Sequence, residues 1–127
     1  MQYIIRLALA LLISISAPVH ANHHDDHQLQ KEVKSNLIPV ASARVCMVNN
    51  RVFEQDQIPI QVQGKTYYGC CNMCKDKLNS DVSARQGLDP ITHSPVDKAT
   101  AVIAADATGK VFYFENEQHL KQYNQNL

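Results

Sequence analysis

The chain has 127 residues, with 12 Lys and Arg balancing 12 Asp and Glu for a formal net charge of zero. That length allows one ordinary domain. The charge balance offers no electrostatic reason to expect nucleic acid or an anionic membrane as a partner.

Arg6 is the only charged side chain before Asp25, and an apolar run from Leu7 to Ile13 follows it. Val19-His20-Ala21 then places small residues at −3 and −1 of a cut after Ala21. This pattern predicts a secretory signal peptide over residues 1–21, because the apolar run is far shorter than the roughly 20 residues that cross a bilayer. The expected destination is across the inner membrane, in the periplasm, with no membrane attachment after cleavage.

Residues 22–43 read as a polar, histidine-containing arm and linker, with Asp25 or Asp26 able to cap a short helix. A chain beginning Asn22-His23-His24 offers an α-amine, two backbone amides and an imidazole. That is a square-planar nitrogen set for Cu(II) or Ni(II), with His27 close by. The same segment reads equally as a solvated tail. Leu37 to Ala41 is expected to be extended, since Pro39 excludes a helix interior.

Ile58, Ile60 and Val62 alternate with Pro59, Gln61 and Gln63, the period of a half-buried strand, and Pro59 suggests a sheet edge. Gln63-Gly64-Lys65 predicts a tight turn, and Thr66-Tyr67-Tyr68 a returning strand. A helix is predicted from Cys71 to Asn79, with Cys74 and Leu78 on one face. The same succession returns further on. Thr100 to Ala105 reads as a strand, Asp106 to Gly109 as a turn, and Lys110 to Phe114 as a strand. Asn116 then caps a helix running to Tyr123. At an offset of 45, Gly64-Lys65 falls on Gly109-Lys110, Cys74 on His119 and Leu78 on Tyr123. Two ββα units related as a pseudo-repeat are expected, over about 44–86 and 87–127, within a domain of residues 44–127.

The cysteines carry the chemistry. Cys70, at the end of the second strand, and Cys74, one helical turn on, bring their sulfurs toward one point. A helix N-terminus favours thiolate, and Cys46 would close the site from the preceding loop. Three soft sulfurs suit Cu(I), whereas Zn(II) normally wants a fourth ligand, for which Cys71 or a histidine is the candidate. Met47 and Met73 adjoin these cysteines and could add thioether sulfur, although each also reads as adaptable core filler. His119 is a weaker candidate ligand on the second helix, and it reads more simply as a surface or packing residue.

Cys46-Met47, then Gly64-Lys-Thr-Tyr-Tyr-Gly-Cys70-Cys-Asn-Met-Cys74-Lys, resembles the TRASH/YHS group of heavy-metal-binding modules over about residues 44–80. Cys71 is extra to that pattern. The second half resembles a degenerate copy, with Thr92, Glu115 and His119 near the cysteine positions, and is also similar to copper-delivery lipoproteins of nitrous oxide reductase assembly. The resemblance implies metal binding, often of copper, in sensing, trafficking or resistance. The expected fold class is α+β, a small treble-clef-like module.

Three functions compete. The first is a non-enzymatic metal-binding protein, a metallochaperone or scavenger that captures an ion on Cys46, Cys70 and Cys74, with Cys71 optional, and passes it to a metal-accepting protein. The second is a thiol–disulfide oxidoreductase using Cys71 and Cys74, although the βαβ context of such enzymes is missing. The third is a small exported domain stapled by two disulfides, for which bridges inside one helical turn are geometrically awkward.

Overall fold

A computed structural model describes residues 36–127. The expected signal peptide, most of the polar arm, and His23, His24 and His27 lie outside the described residues. No helix among the described residues is long and apolar enough to cross a membrane.

Over the described residues the fold is α+β, with two helices and several small antiparallel sheets. After β1 (Ile38–Pro39), a 3-10 turn (Ser42–Arg44) leads into β2 (Val45–Cys46), β3 (Arg51–Val52), β4 (Ile58–Val62), β5 (Lys65–Gly69) and α1 (Asn72–Ser80). A second 3-10 turn (Ser83–Arg85) leads into β6 (Gln86–Leu88), β7 (Pro95–Asp97), β8 (Val102–Ala105), β9 (Val111–Phe114) and α2 (Glu117–Gln125). Each helix follows a hairpin, as the alternation and turn residues predict. A shorter strand pair precedes each hairpin, and two-residue strands such as β2 and β3 carry no readable period.

The hairpin β4–β5 pairs Ile58 with Gly69, Ile60 with Tyr67 and Val62 with Lys65. Its turn is Gln63-Gly64, both with positive φ (51° and 77°), the left-handed pair that tight two-residue hairpin turns demand. Gly109, at φ 81°, closes the β8–β9 turn. The strand before that turn also pairs with β1, making the order β1-β8-β9.

The helices start alike. Cys71 and Asn116 are extended N-caps, but only Asn116 caps with its side chain, accepting from the His119 N–H at 3.0 Å. At its other end α1 is closed by Arg85, a buried residue whose Nη1 donates to the Leu78 carbonyl at 2.6 Å. Orphan carbonyls at a helix C-terminus are well served by such a cation.

The main core gathers Val45, Met47, Ile60, Tyr67, Leu78, Val96, Ile103, Val111 and Tyr113 from both halves of the described chain. A second cluster of Leu37, Ala104, Phe114 and Leu120 lies under α2. Polar ties cross the core between the halves. Tyr113 donates its hydroxyl to Asn50 at 3.0 Å, and Tyr67 donates to the Asp97 carboxylate at 2.9 Å.

Asp97 also accepts from Lys65 at 2.7 Å and from the Ala99 N–H. Burial alone would raise its pKa. The Lys65, Ala99 and Tyr67 hydrogen bonds outweigh that effect and hold the carboxyl below its ordinary 3.8. A depressed carboxylate lends stability that is complete above the unfolded value and fades as pH falls through the folded one. The urea midpoint should therefore stay level from pH 7 to about 5 and drop below about pH 4. Asp97→Asn should flatten that acid limb, and an unchanged limb would remove Asp97 as a contributor.

Candidate metal centre

Three structural features converge on one spot. Cys46 ends β2, Cys70 follows β5, and Cys74 lies in the first turn of α1. The Met47 N–H donates to the Tyr68 carbonyl at 2.9 Å, which seats the Cys46 loop against β5. The Asn50 N–H bonds back to the Cys46 carbonyl, and Asn50 itself has φ 54°, so the chain curls tightly behind the thiol.

The closeness of α1 to β5 depends on Gly69. A Cβ placed there would lie 2.7 Å from the Cys74 Cβ and 3.3 Å from the Ile60 Cδ1. Gly69→Ala should push α1 off the hairpin and cost about 1–3 kcal/mol of stability, the usual penalty for overpacking. It should also weaken metal uptake by the thiols, which competition against a chromophoric chelator would measure. Full retention of both properties would show that the helix moves freely.

The Cys74 sulfur is the hub. It lies 3.7 Å from the Cys46 sulfur, 3.6 Å from that of Cys70 and 3.4 Å from that of Cys71. All four cysteines are free, with Cys46 and Cys74 buried and Cys70 and Cys71 exposed. The ligand atoms of Cys46, Cys70 and Cys74 lie within 4.8 Å of one another, close enough to hold a metal ion. Sulfurs held about 2.3 Å from a tetrahedral ion sit about 3.8 Å apart, close to the two hub spacings.

Electrostatics differ among the thiols. Burial would raise the Cys46 pKa, but backbone N–H groups of Asn49, Val48 and Cys70 turn toward the sulfur and bring it below the ordinary value. Such a nest of amides is an anion site. Cys74 is pushed up to about 12, first by burial and then by its hydrogen bonds with Cys71, Cys70 and Cys46. Cys70 is also raised, chiefly through its hydrogen bond with Cys46. Cys71 is lowered by the Cys74 backbone N–H and side chain. The cluster thus favours one buried thiolate and resists a second, because neighbouring like charges oppose one another. A cation among the sulfurs removes that resistance.

Lys98 is a participant that sequence reasoning missed. It is 5 % exposed, and its Nζ donates to the Met47 carbonyl at 2.6 Å and to Asn50 Oδ1 at 2.9 Å. It also sits 5.0 Å from the centre of the Tyr113 ring. Burial lowers its pKa to about 8, and the charge of Cys46 works against that lowering. A lysine between Asp97 and Ala99 carries no sequence signal of burial.

Of the other candidates, Met47 is fully buried in the main core and Met73 is 80 % exposed on α1. His119 belongs to a different group, with Asp89 and Glu115, whose ligand atoms also lie within 4.8 Å of one another. Asp89, rather than the expected Thr92, is the residue that joins Glu115 and His119 there. A sequence signal did exist for it. Ser83-Ala84-Arg85 repeats Ser42-Ala43-Arg44, and Asp89 follows the second copy much as Cys46 follows the first. Comparisons with protein-family models, curated proteins and solved structures find no match to this chain.

Proposed function

We propose that this is an exported, non-enzymatic heavy-metal-binding protein whose cargo is a soft cation, Cu(I) in first place and Zn(II) in second. The observation that carries the reading is the packing of the Cys46, Cys70 and Cys74 sulfurs around one centre, with hub spacings of 3.6 and 3.7 Å. Cys46 and Cys74 form the buried floor and Cys70 the exposed edge. Three thiolates satisfy Cu(I), and Zn(II) would recruit Cys71 as its fourth ligand.

Cys71 gives the proposal a mechanism of transfer. Its exposed sulfur, 3.4 Å from the hub, can hold the ion while an incoming thiol or thioether of a partner replaces Cys70. Handover then proceeds by ligand exchange without exposing a bare ion. Trafficking, scavenging or resistance in the periplasm fits such a device, and so does the sequence resemblance to TRASH/YHS modules. A mature N-terminus at Asn22 would add a separate Cu(II) or Ni(II) site.

The test is anaerobic purification followed by thiol counting and Cu(I) titration against a chelator of known affinity. Stoichiometric uptake that protects the thiols, weakened in Cys70→Ser and lost in Cys74→Ser, supports the reading. Thiols that stay reactive at saturating Cu(I) would overturn it. The Cys71–Cys74 contact is also the geometry a thiol–disulfide oxidoreductase uses, so insulin reduction dependent on Cys71 would favour that second function instead.

A further inference from the structure

The second half of the chain holds its own convergent group. Asp89 follows β6, Glu115 directly precedes the N-cap of α2, and His119 lies in the first turn of that helix. Cys70 and Cys74 stand in the same two places about α1, 45 positions earlier. The third members also correspond, since Cys46 and Asp89 each follow a Ser-Ala-Arg 3-10 turn. Burial matches as well, with the first member of each trio buried and the second exposed.

The atoms are close and chemically suited. His119 Nδ1 is 2.6 Å from Asp89 Oδ2 and 4.0 Å from Glu115 Oε2. Asp89 is fully buried and anchored by backbone donors. Its Oδ1 accepts from the Ile91 and Thr92 N–H groups, and its Oδ2 accepts from the Glu115 N–H at 2.8 Å. The side chain of Glu115 is 58 % exposed, which leaves a path from solvent to the group. One imidazole and two carboxylates form a nitrogen and oxygen set that suits borderline divalent ions and is poor for Cu(I).

We propose that Asp89, Glu115 and His119 form a second cation site, chemically distinct from the thiols, that takes a borderline divalent ion such as Zn(II). The ion replaces the proton between His119 Nδ1 and Asp89 Oδ2. The neutral ring then carries its proton on Nε2, and Glu115 swings inward as the third ligand. Water completes the shell on the exposed side. The chain thus offers a soft site and a borderline site at equivalent places about its two helices, and the second does not depend on the first being a copper site.

Co(II) is the probe, because thiolate ligation gives intense near-ultraviolet charge-transfer bands, whereas nitrogen and oxygen ligation gives only weak visible bands. The full chain is titrated with His23, His24 and His27 replaced by alanine, so that the arm does not compete. Cys74→Ser in that background should keep one Co(II) with weak visible bands and no charge transfer. Adding Glu115→Gln should weaken this uptake about tenfold or more, on the scale of lost metal contacts, with melting of the metal-free protein unchanged. His119→Ala should abolish it while leaving the thiolate bands of the Cys74-intact protein. Nitrogen-15 spectra of His119 should show the ring proton moving from Nδ1 to Nε2 as Zn(II) is added. The proposal is overturned if Cys74→Ser takes up no Co(II), or if its visible bands persist through Glu115→Gln and His119→Ala. It also fails if His119→Ala lowers the melting temperature while metal uptake stays unchanged, the result expected of a purely structural tie. Failure of the thiol site would look different, as charge-transfer bands missing from the parent protein.

Discussion

Cys74→Ser should erase the stabilisation that a soft metal confers on this protein. The buried Cys74 sulfur lies within 3.7 Å of the other three thiols, so its loss removes the one atom that all three share as a neighbour. A ligand at about 100 times its dissociation constant adds about 2.7 kcal/mol to the folded state. For a domain of this size each kcal/mol moves the melting temperature by roughly 4–8 °C. Saturating Cu(I) should therefore raise the wild-type midpoint by about 10 °C or more. The serine variant should show no such rise, and its own metal-free midpoint is the reference for that comparison, since a buried hydroxyl in place of the thiol can itself cost about 1–3 kcal/mol. Cys71→Ser provides the contrast. In the proposed handover its exposed thiol serves only in exchange, so most of the shift with Cu(I) should survive and the shift with Zn(II) should shrink. An equal shift in wild type and Cys74→Ser, measured by scanning calorimetry under argon, would remove the cluster as the binding site.

Much of this architecture was legible because local rules and tertiary packing agree. Alternation from Ile58 to Val62, a Gln63-Gly64 turn and an aromatic return strand specify a hairpin, and the hairpin formed in that register. Asn116 announced α2 and does cap it. The four-residue spacing of Cys70 and Cys74 foretold their approach, although Cys70 stands just ahead of the Cys71 N-cap and not on α1 itself. The features that stayed hidden depend on contacts distant in sequence. Strands β2 and β3 are too short to show a period and exist because the Cys46 loop is pinned to β5. Asp89 escaped the fixed offset of 45 because Gln86, Gly87 and Leu88 separate it from Arg85, where Val45 alone separates Cys46 from Arg44. The closeness of Gly69 to Cys74 is visible only in three dimensions. Lys98 was the least legible of all, because lysine in a polar turn ordinarily points to water.

That buried lysine leads to the second large effect. Lys98→Met retains the length and much of the volume of the side chain but removes its charge and its donors. The Met47 carbonyl loses the Lys98 hydrogen bond, while Asn50 Oδ1 keeps the Tyr113 hydroxyl as a partner. A buried acceptor left without a donor costs about 1–3 kcal/mol, so the variant should unfold at lower urea by that amount. The consequence for metal is separate. A Cu(I) ion with three thiolates carries net negative charge, and Lys98, with its pKa at about 8, is still mostly protonated at pH 7. Its loss leaves that charge without a nearby buried cation, and a change of one pKa unit's worth, about 1.4 kcal/mol, is tenfold in affinity. Chelator competition should show Cu(I) held about tenfold more weakly in Lys98→Met. Zn(II) held by all four thiolates carries the same net charge as Cu(I) on three, so it should be weakened by a similar factor. Lys98→Arg restores the charge with a different shape and should recover more of the affinity than of the stability. If methionine and arginine weaken Cu(I) binding equally, Lys98 acts only as packing and hydrogen-bond donor, and its charge has no part in holding the ion.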